Sequence, residues 1–178
     1  RRTLEWVREV AKICADHPAT VGGAVQFFVI PTFPSIPGVV ELARPAGIAV
    51  GGQDLHWEDS GPFTGEVSGA ELAELGATMV EVGHAERRAL FGETDEIVAR
   101  KTLAGLRNDL APVLCIGEAE PGAPDRAAAL CIEQLESALV DYTGTLLVVS
   151  HDRALVDALG VTHRWHVEAG RVDVTRTA

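Results

Sequence analysis

The sequence is short of positive charge, of cysteine and of long apolar runs, and each shortage removes a class of protein. Lys and Arg number 15 against 26 Asp and Glu, a formal charge of −11. So acidic a surface repels phosphate backbones and anionic headgroups, so neither nucleic acid nor a membrane surface is expected as a general partner. A small phosphorylated ligand answers to a local field instead and stays open. The cysteines, Cys14, Cys115 and Cys131, show no paired spacing, which predicts reduced thiols and not a disulfide framework. No Cys-x-x-Cys or His-x-x-x-His occurs, so no metal is expected. No apolar run approaches the ~18 residues of a membrane helix. The opening, Arg1-Arg2 before an amphipathic segment, is unlike a secretory leader, and a cytoplasmic location is expected.

What is present is a chain of 178 residues, 47% apolar, enough for a domain of ordinary size with a real core. Leu4, Val7, Ala11 and Cys14 fall on one stripe of a first helix that Thr3 can cap. "AVQFFVI" (24–30) is a short continuous apolar run and reads as a strand buried on both faces. "PSIPGVVELA" reads as a helix and "GIAVGGQDL" as a second strand. The polar, glycine-rich "HWEDSGPFTGEVSG" reads as a long loop, "GAELAELG" as a short helix and "ATMVEVGH" as a third strand. Thr94 can cap the next helix, with Asp95 and Glu96 in its first turn and Ala99, Leu103, Leu106 and Leu110 as its stripe. "APVLCIG" is a fourth buried strand. "DRAAALCIEQLESAL" is a helix with Ala128, Ile132, Leu135 and Leu139 in register. "GTLLVVSH", "DRALVDALG" and "HRWHVEAGRVDV" read as strand, helix and hairpin, the last turning at Ala169-Gly170. Strands alternate with helices almost throughout, which predicts an α/β fold with a mainly parallel sheet.

Sites in parallel α/β folds lie at the C-terminal ends of the strands. This reading puts His84 at one such end and Glu118 beyond the next. A helix starting directly after His84 would set unpaired backbone N–H groups beside the imidazole and disfavour its protonated form. A neutral imidazole there can donate a hydrogen bond to a developing oxyanion. Glu86, Arg87, Arg88 and Glu93 are placed to tie the segment to its neighbours. The pattern equally accommodates a structural histidine beside a solvated, charged helix face.

The residues themselves go further. "VEVGHAERRALFGETDEIVARKTLAGL" followed by "APVLCIGE" resembles triosephosphate isomerases, and the likeness runs upstream through "ELGATMVEVG", "VGGQDLHWEDSGPFTGEVS" and "QFFVIPTFPSIPGVV". It covers roughly residues 3–118. The resemblance implies an eight-stranded β/α barrel that interconverts a ketose and an aldose phosphate through an enediolate, without a cofactor. It implies His84 as the electrophile, Glu86 and Cys115 in support, and Gln53 at the strand before the long loop. It also implies that Phe63, Thr64, Gly65 and Glu66 belong to the loop that enters a second subunit, hence a homodimer, and that the substrate is a small phosphorylated sugar.

The departures carry their own expectations. Ala85 stands where the family has serine and Asp54 where asparagine is usual, and "QDLHW" is similar to relatives acting on four-carbon ketose phosphates. No Glu-Pro-x-Trp segment with the family's general base, no N-terminal Asn-x-Lys and no late glycine-rich phosphate loop is found. A barrel of this type takes ~250 residues. The expectation is therefore an incomplete barrel, an open parallel sheet flanked by helices and ending in a hairpin, truncated and weakly active or inactive. Residues 132–172 resemble the end of an ATP-binding cassette ATPase of the duplicated soluble kind, in which His151 matches the γ-phosphate-sensing histidine. The nucleotide-cradling loop is lacking. Two units are thus expected, 1–125 and 126–178, a chimera whose change of identity falls within 119–131, with "TLLVVS" pairing at a sheet edge.

Overall fold

The alternation is realised as four parallel strands, β1 (Phe28–Val29), β2 (Ala49–Gly52), β3 (Met79–Val82) and β4 (Ala111–Leu114), paired in sequence order. This computed structural model describes residues 2–118, 123–139, 142, 162–168 and 171–176. The helices are α1 (Arg2–Asp16), α2 (Pro18–Val21), α3 (Ile36–Ala43), α4 (Gly69–Glu74), α5 (Ala85–Phe91), α6 (Asp95–Arg107) and α7 (Pro124–Ala138). A strand order without reversal is that of a barrel wall rather than of a doubly wound sheet. Strands β5 (His163–Glu168) and β6 (Arg171–Arg176) pair antiparallel as the expected hairpin. His151, the strand "TLLVVS" and the helix "DRALVDALG" lie outside the described residues.

The core forms between one face of the sheet and the helices. Val50, Val80 and Val82 are buried there with Val7 of α1, Ile36 and Val39 of α3, Leu72 of α4, and Val98 and Ala104 of α6. Successive strand residues alternate faces, so Met79 and Glu81 turn to the opposite side and are half-buried. The two glycines ending β2 permit very close packing. A Cβ on Gly52 would lie 2.7 Å from Leu72 Cδ1, and one on Gly51 3.2 Å from Ile30 Cγ1.

Three expectations are corrected. "AVQFFVI" pairs only over Phe28–Val29, and Phe27 and Phe28 are exposed, because among the described residues β1 has a neighbour on one side only. The helix expected from Pro34 is split: a 3-10 turn at Phe33–Ser35 precedes α3, and Pro37 occupies its first turn, where a missing N–H costs nothing. The stripe on α6 is shifted, although Leu110 just beyond the helix is buried as expected. Val98, Lys101, Thr102, Ala104 and Gly105 face inward, while Leu103 is 46% exposed. Small residues draw that face onto β3: a Cβ on Gly105 would sit 3.1 Å from Val80.

Candidate active site

The end of β3 is shaped by two glycines that bracket α5. Gly83 adopts φ +74°, and a Cβ there would crowd Cys115 O and Val98 at 3.1 Å. Gly92, at φ +70°, closes the helix with its N–H on Arg87 O. His84 lies between strand and helix as the cap of α5. Its Nδ1 accepts the Glu86 backbone N–H at 3.3 Å. A ring that accepts at Nδ1 carries its proton on Nε2, so Nε2–H is the donor that the half-exposed imidazole offers at the strand tip. The Glu86 carboxylate is 3.9 Å from Nδ1 and mostly solvated; this residue touches the ring through its main chain.

Arg88 returns from α5 to the strand end, donating Nε–H to Gly83 O at 2.9 Å and pairing with Asp95 at 2.6 Å. Cys115 follows β4, its N–H on Val82 O at 2.8 Å and its thiol donating to Glu81 at 3.9 Å. Burial, then the charge and hydrogen bond of Glu81, push the Cys115 thiol up to about 11. Gln53 directly follows β2 and is exposed, at the strand end adjacent to that of His84.

Beneath this rim sits a buried ionic cluster. Lys101, 3% exposed, reaches both oxygens of Asp54 at 2.7 Å and Glu93 Oε1. Arg87 Nε lies 2.9 Å from Asp54 and 2.6 Å from Glu93. Burial raises the Asp54 carboxyl despite the bonds from Lys101. Burial also works on Glu93, but the bonds from Lys101 and Arg87 prevail and lower it. Sequence reasoning noted Asp54 only as a departure and missed Lys101, since a helix lysine reads as solvent-facing. The signal was there: Lys101 lies three residues after Val98 and one before Thr102, on the buried stripe.

The long loop is fastened at both ends. His56 pairs with Ser68 as an isolated bridge, and its ring stacks on Trp57 (4.3 Å) and meets Phe63 in a tilted contact (4.1 Å). Arg107 grips Asp59 by two bonds of 3.0 Å, and Asn108 adds one of 2.7 Å. Arg107 and then Asn108 hold the Asp59 carboxyl below the usual range. Thr64, Gly65 and Glu66 are exposed at the tip, with Phe63 at the start of that turn. A cleft of about 520 Å³ between this loop and α6, lined by Trp57, Arg100, Leu103 and Arg107 among others, is separate from His84. Also unread in the sequence is Gln134 of α7, whose buried amide accepts Gly117 N–H at 2.8 Å and donates to Gly117 O at 3.2 Å. None of the helices among the described residues is long and apolar enough to cross a membrane.

Parallel β/α units in sequence order, with polar side chains gathered at the C-terminal strand ends, define a protein of the β/α-barrel class. Within that class, the family model for triosephosphate isomerase matches residues 2–150, and the chain belongs to the triosephosphate isomerase family. That match continues through α7 and beyond residues 119–131, where an ATPase-like ending was expected to begin. The chain is 48% identical over 127 residues to the L-erythrulose-1-phosphate isomerase of Pectobacterium atrosepticum, covering 71% of this chain and 49% of that protein. It is 53% identical over 119 residues to the triosephosphate isomerase of Acetivibrio thermocellus, covering 67% and 45%. A crystal structure of triosephosphate isomerase from Bartonella henselae superposes with a TM-score of 0.65 at 27% identity, over 77% of this chain and 57% of that one. The chain spans about half the length of the curated relatives it matches.

Proposed function

We propose that this chain carries the carbonyl-polarising part of an aldose–ketose isomerase that acts on a short sugar phosphate through an enediolate. The observation that carries the reading is His84: its Nδ1 is occupied by the Glu86 N–H, which leaves Nε2–H to donate to the oxygen on which negative charge develops. Gln53 contributes a second polar group at the neighbouring strand end, while Glu86 and Cys115 hold the strand end and the helix start around the ring. A three- or four-carbon ketose phosphate fits the names of the relatives, which include both a triosephosphate isomerase and an L-erythrulose-1-phosphate isomerase. The loop around Thr64, with Phe63 partly exposed beside it, and the exposed Leu90 and Phe91 of α5 suit contact with a second copy. No residue of this chain is assigned the proton-abstracting role, so weak turnover is expected: loss of a general base typically removes ~10²–10⁴-fold of rate.

The test is titration with 2-phosphoglycolate, whose carboxylate imitates the charge of the enediolate, followed by nitrogen-15 signals of the histidine rings. The His84 signals are expected to move saturably, and ATP to leave them in place. Absence of any His84 response at millimolar analogue, together with turnover of both sugars indistinguishable from buffer, overturns the reading. Saturable ATP binding at micromolar levels would support a nucleotide site instead.

A further inference from the structure

We propose that Asp54 is a positioning residue that fixes Gln53 relative to His84, by clamping the end of β2 to the helix that begins at His84. The inference rests on His84 being the polarising group. Asp54 follows Gln53 directly and is 6% exposed. Its carboxylate accepts Lys101 of α6 on both oxygens at 2.7 Å, and its Oδ2 forms an ion pair with Arg87 Nε of α5 at 2.9 Å. Arg87 in turn gives its backbone N–H to His84 O at 2.9 Å. An unbroken path therefore runs from Gln53 through one carboxylate and one guanidinium to the main chain of His84.

The path needs a carboxylate at this position. Asp54 and Glu93 balance Arg87 and Lys101, so the buried set is formally neutral. An amide in place of Asp54 offers one acceptor oxygen, turns an NH₂ toward two cations, and leaves one positive charge uncompensated. The aspartate that departs from the family's usual asparagine is thus the group that lets one side chain hold both helices.

The experiment compares the wild-type chain with Asp54→Asn, using long-range proton–nitrogen spectra of the histidine rings with His84 assigned through His84→Gln. In the wild type the two ring nitrogens of His84 are expected to be well separated, as for one fixed tautomer protonated at Nε2. In Asp54→Asn the separation collapses toward that of a freely exchanging imidazole, and the melting temperature falls. The double variant Asp54→Asn/Lys101→Met leaves Arg87 and Glu93 as a balanced pair. It is expected to regain melting temperature without regaining the His84 separation. A purely stabilising Asp54 predicts otherwise: unchanged His84 signals in Asp54→Asn, or recovery of both properties together in the double variant, and either result overturns the proposal. A wild-type ring already averaged between tautomers overturns it too. If Asp54→Asn fails to fold, Arg87→Lys gives the same readout, since it keeps the charge but loses the planar fork; an unmoved His84 there overturns the proposal. Failure of the isomerase reading shows separately, as silence toward 2-phosphoglycolate.

Discussion

Replacing Lys101 with methionine tests the buried cluster most directly. The lysine ammonium has three protons and meets three carboxylate oxygens, two of Asp54 and one of Glu93. Methionine fills similar volume but leaves both carboxylates to Arg87 alone, with Glu93 Oε2 already buried and unpartnered among the described residues. Removing one partner from a buried ionic set costs about 3–5 kcal/mol, a large share of the roughly 5–15 kcal/mol that holds a domain together. At 2–4 °C per kcal/mol for a chain of this size, the melting temperature should fall by roughly 6–20 °C near neutral pH. The pH dependence supplies the sign. In the wild type the bonds from Lys101 and Arg87 overcome burial and keep the Glu93 carboxyl low. That stability is present above the ordinary carboxyl pKa and is lost as pH falls through the lowered folded value. Without Lys101 the upward push of burial gains on Glu93, as it already prevails on Asp54. Both acids then protonate more readily in the folded chain, and the deficit should narrow as pH drops from 7 toward about 4.5. Thermal melts by circular dichroism at several pH values measure this. A fall below about 3 °C, or a deficit independent of pH, refutes the account of the cluster.

Thr94 caps α6 through its hydroxyl on the Ile97 N–H, so Thr94→Ala should cost about 1 kcal/mol, read from a urea midpoint; no change would mean the cap is idle. Gln134→Ala removes both bonds to Gly117 and should cost about 1–3 kcal/mol, with faster hydrogen exchange at the Gly117 amide. Retained protection there would show that α7 is held by other contacts. With its thiol pushed from 9.0 to about 11, Cys115 should have about 100-fold less thiolate at pH 8 than an ordinary cysteine, and alkylate correspondingly slowly. Glu81→Gln should speed that alkylation, as followed by mass spectrometry, and equal rates would remove Glu81 as a cause.

The sequential strand order of a barrel wall was implied by the family resemblance, whereas strand–helix alternation was legible because it depends on runs of apolar residues and on local turn chemistry. The cap at Thr94 and the strand-end place of His84 followed from the same rules. The inward face of α6 did not. Leucines at 103 and 106 outweighed Ala104 and Gly105 in the pattern, yet the helix sits where its smallest side chains let it approach β3. The ionic cluster was hidden for a related reason: its members are 47 positions apart between Asp54 and Lys101, and only the fold brings them together. His84 itself shows the boundary between the two kinds of information. Its position could be read, whereas the acceptor role of Nδ1 required the first turn of α5 to be in place.

The pair Gly51-Gly52 sets a limit on how this scaffold can change. A Cβ at Gly52 would force Leu72 to shift from 2.7 Å, and one at Gly51 would press on Ile30 and Met79 at 3.2–3.3 Å, so the strand end before Gln53 changes only if the core beside it gives way. Change is more readily absorbed further along, in the exposed stretch 58–66, which Asp59 anchors to Arg107 and Asn108. Random mutagenesis screened for a retained fold should therefore return changes in that loop and leave both glycines untouched.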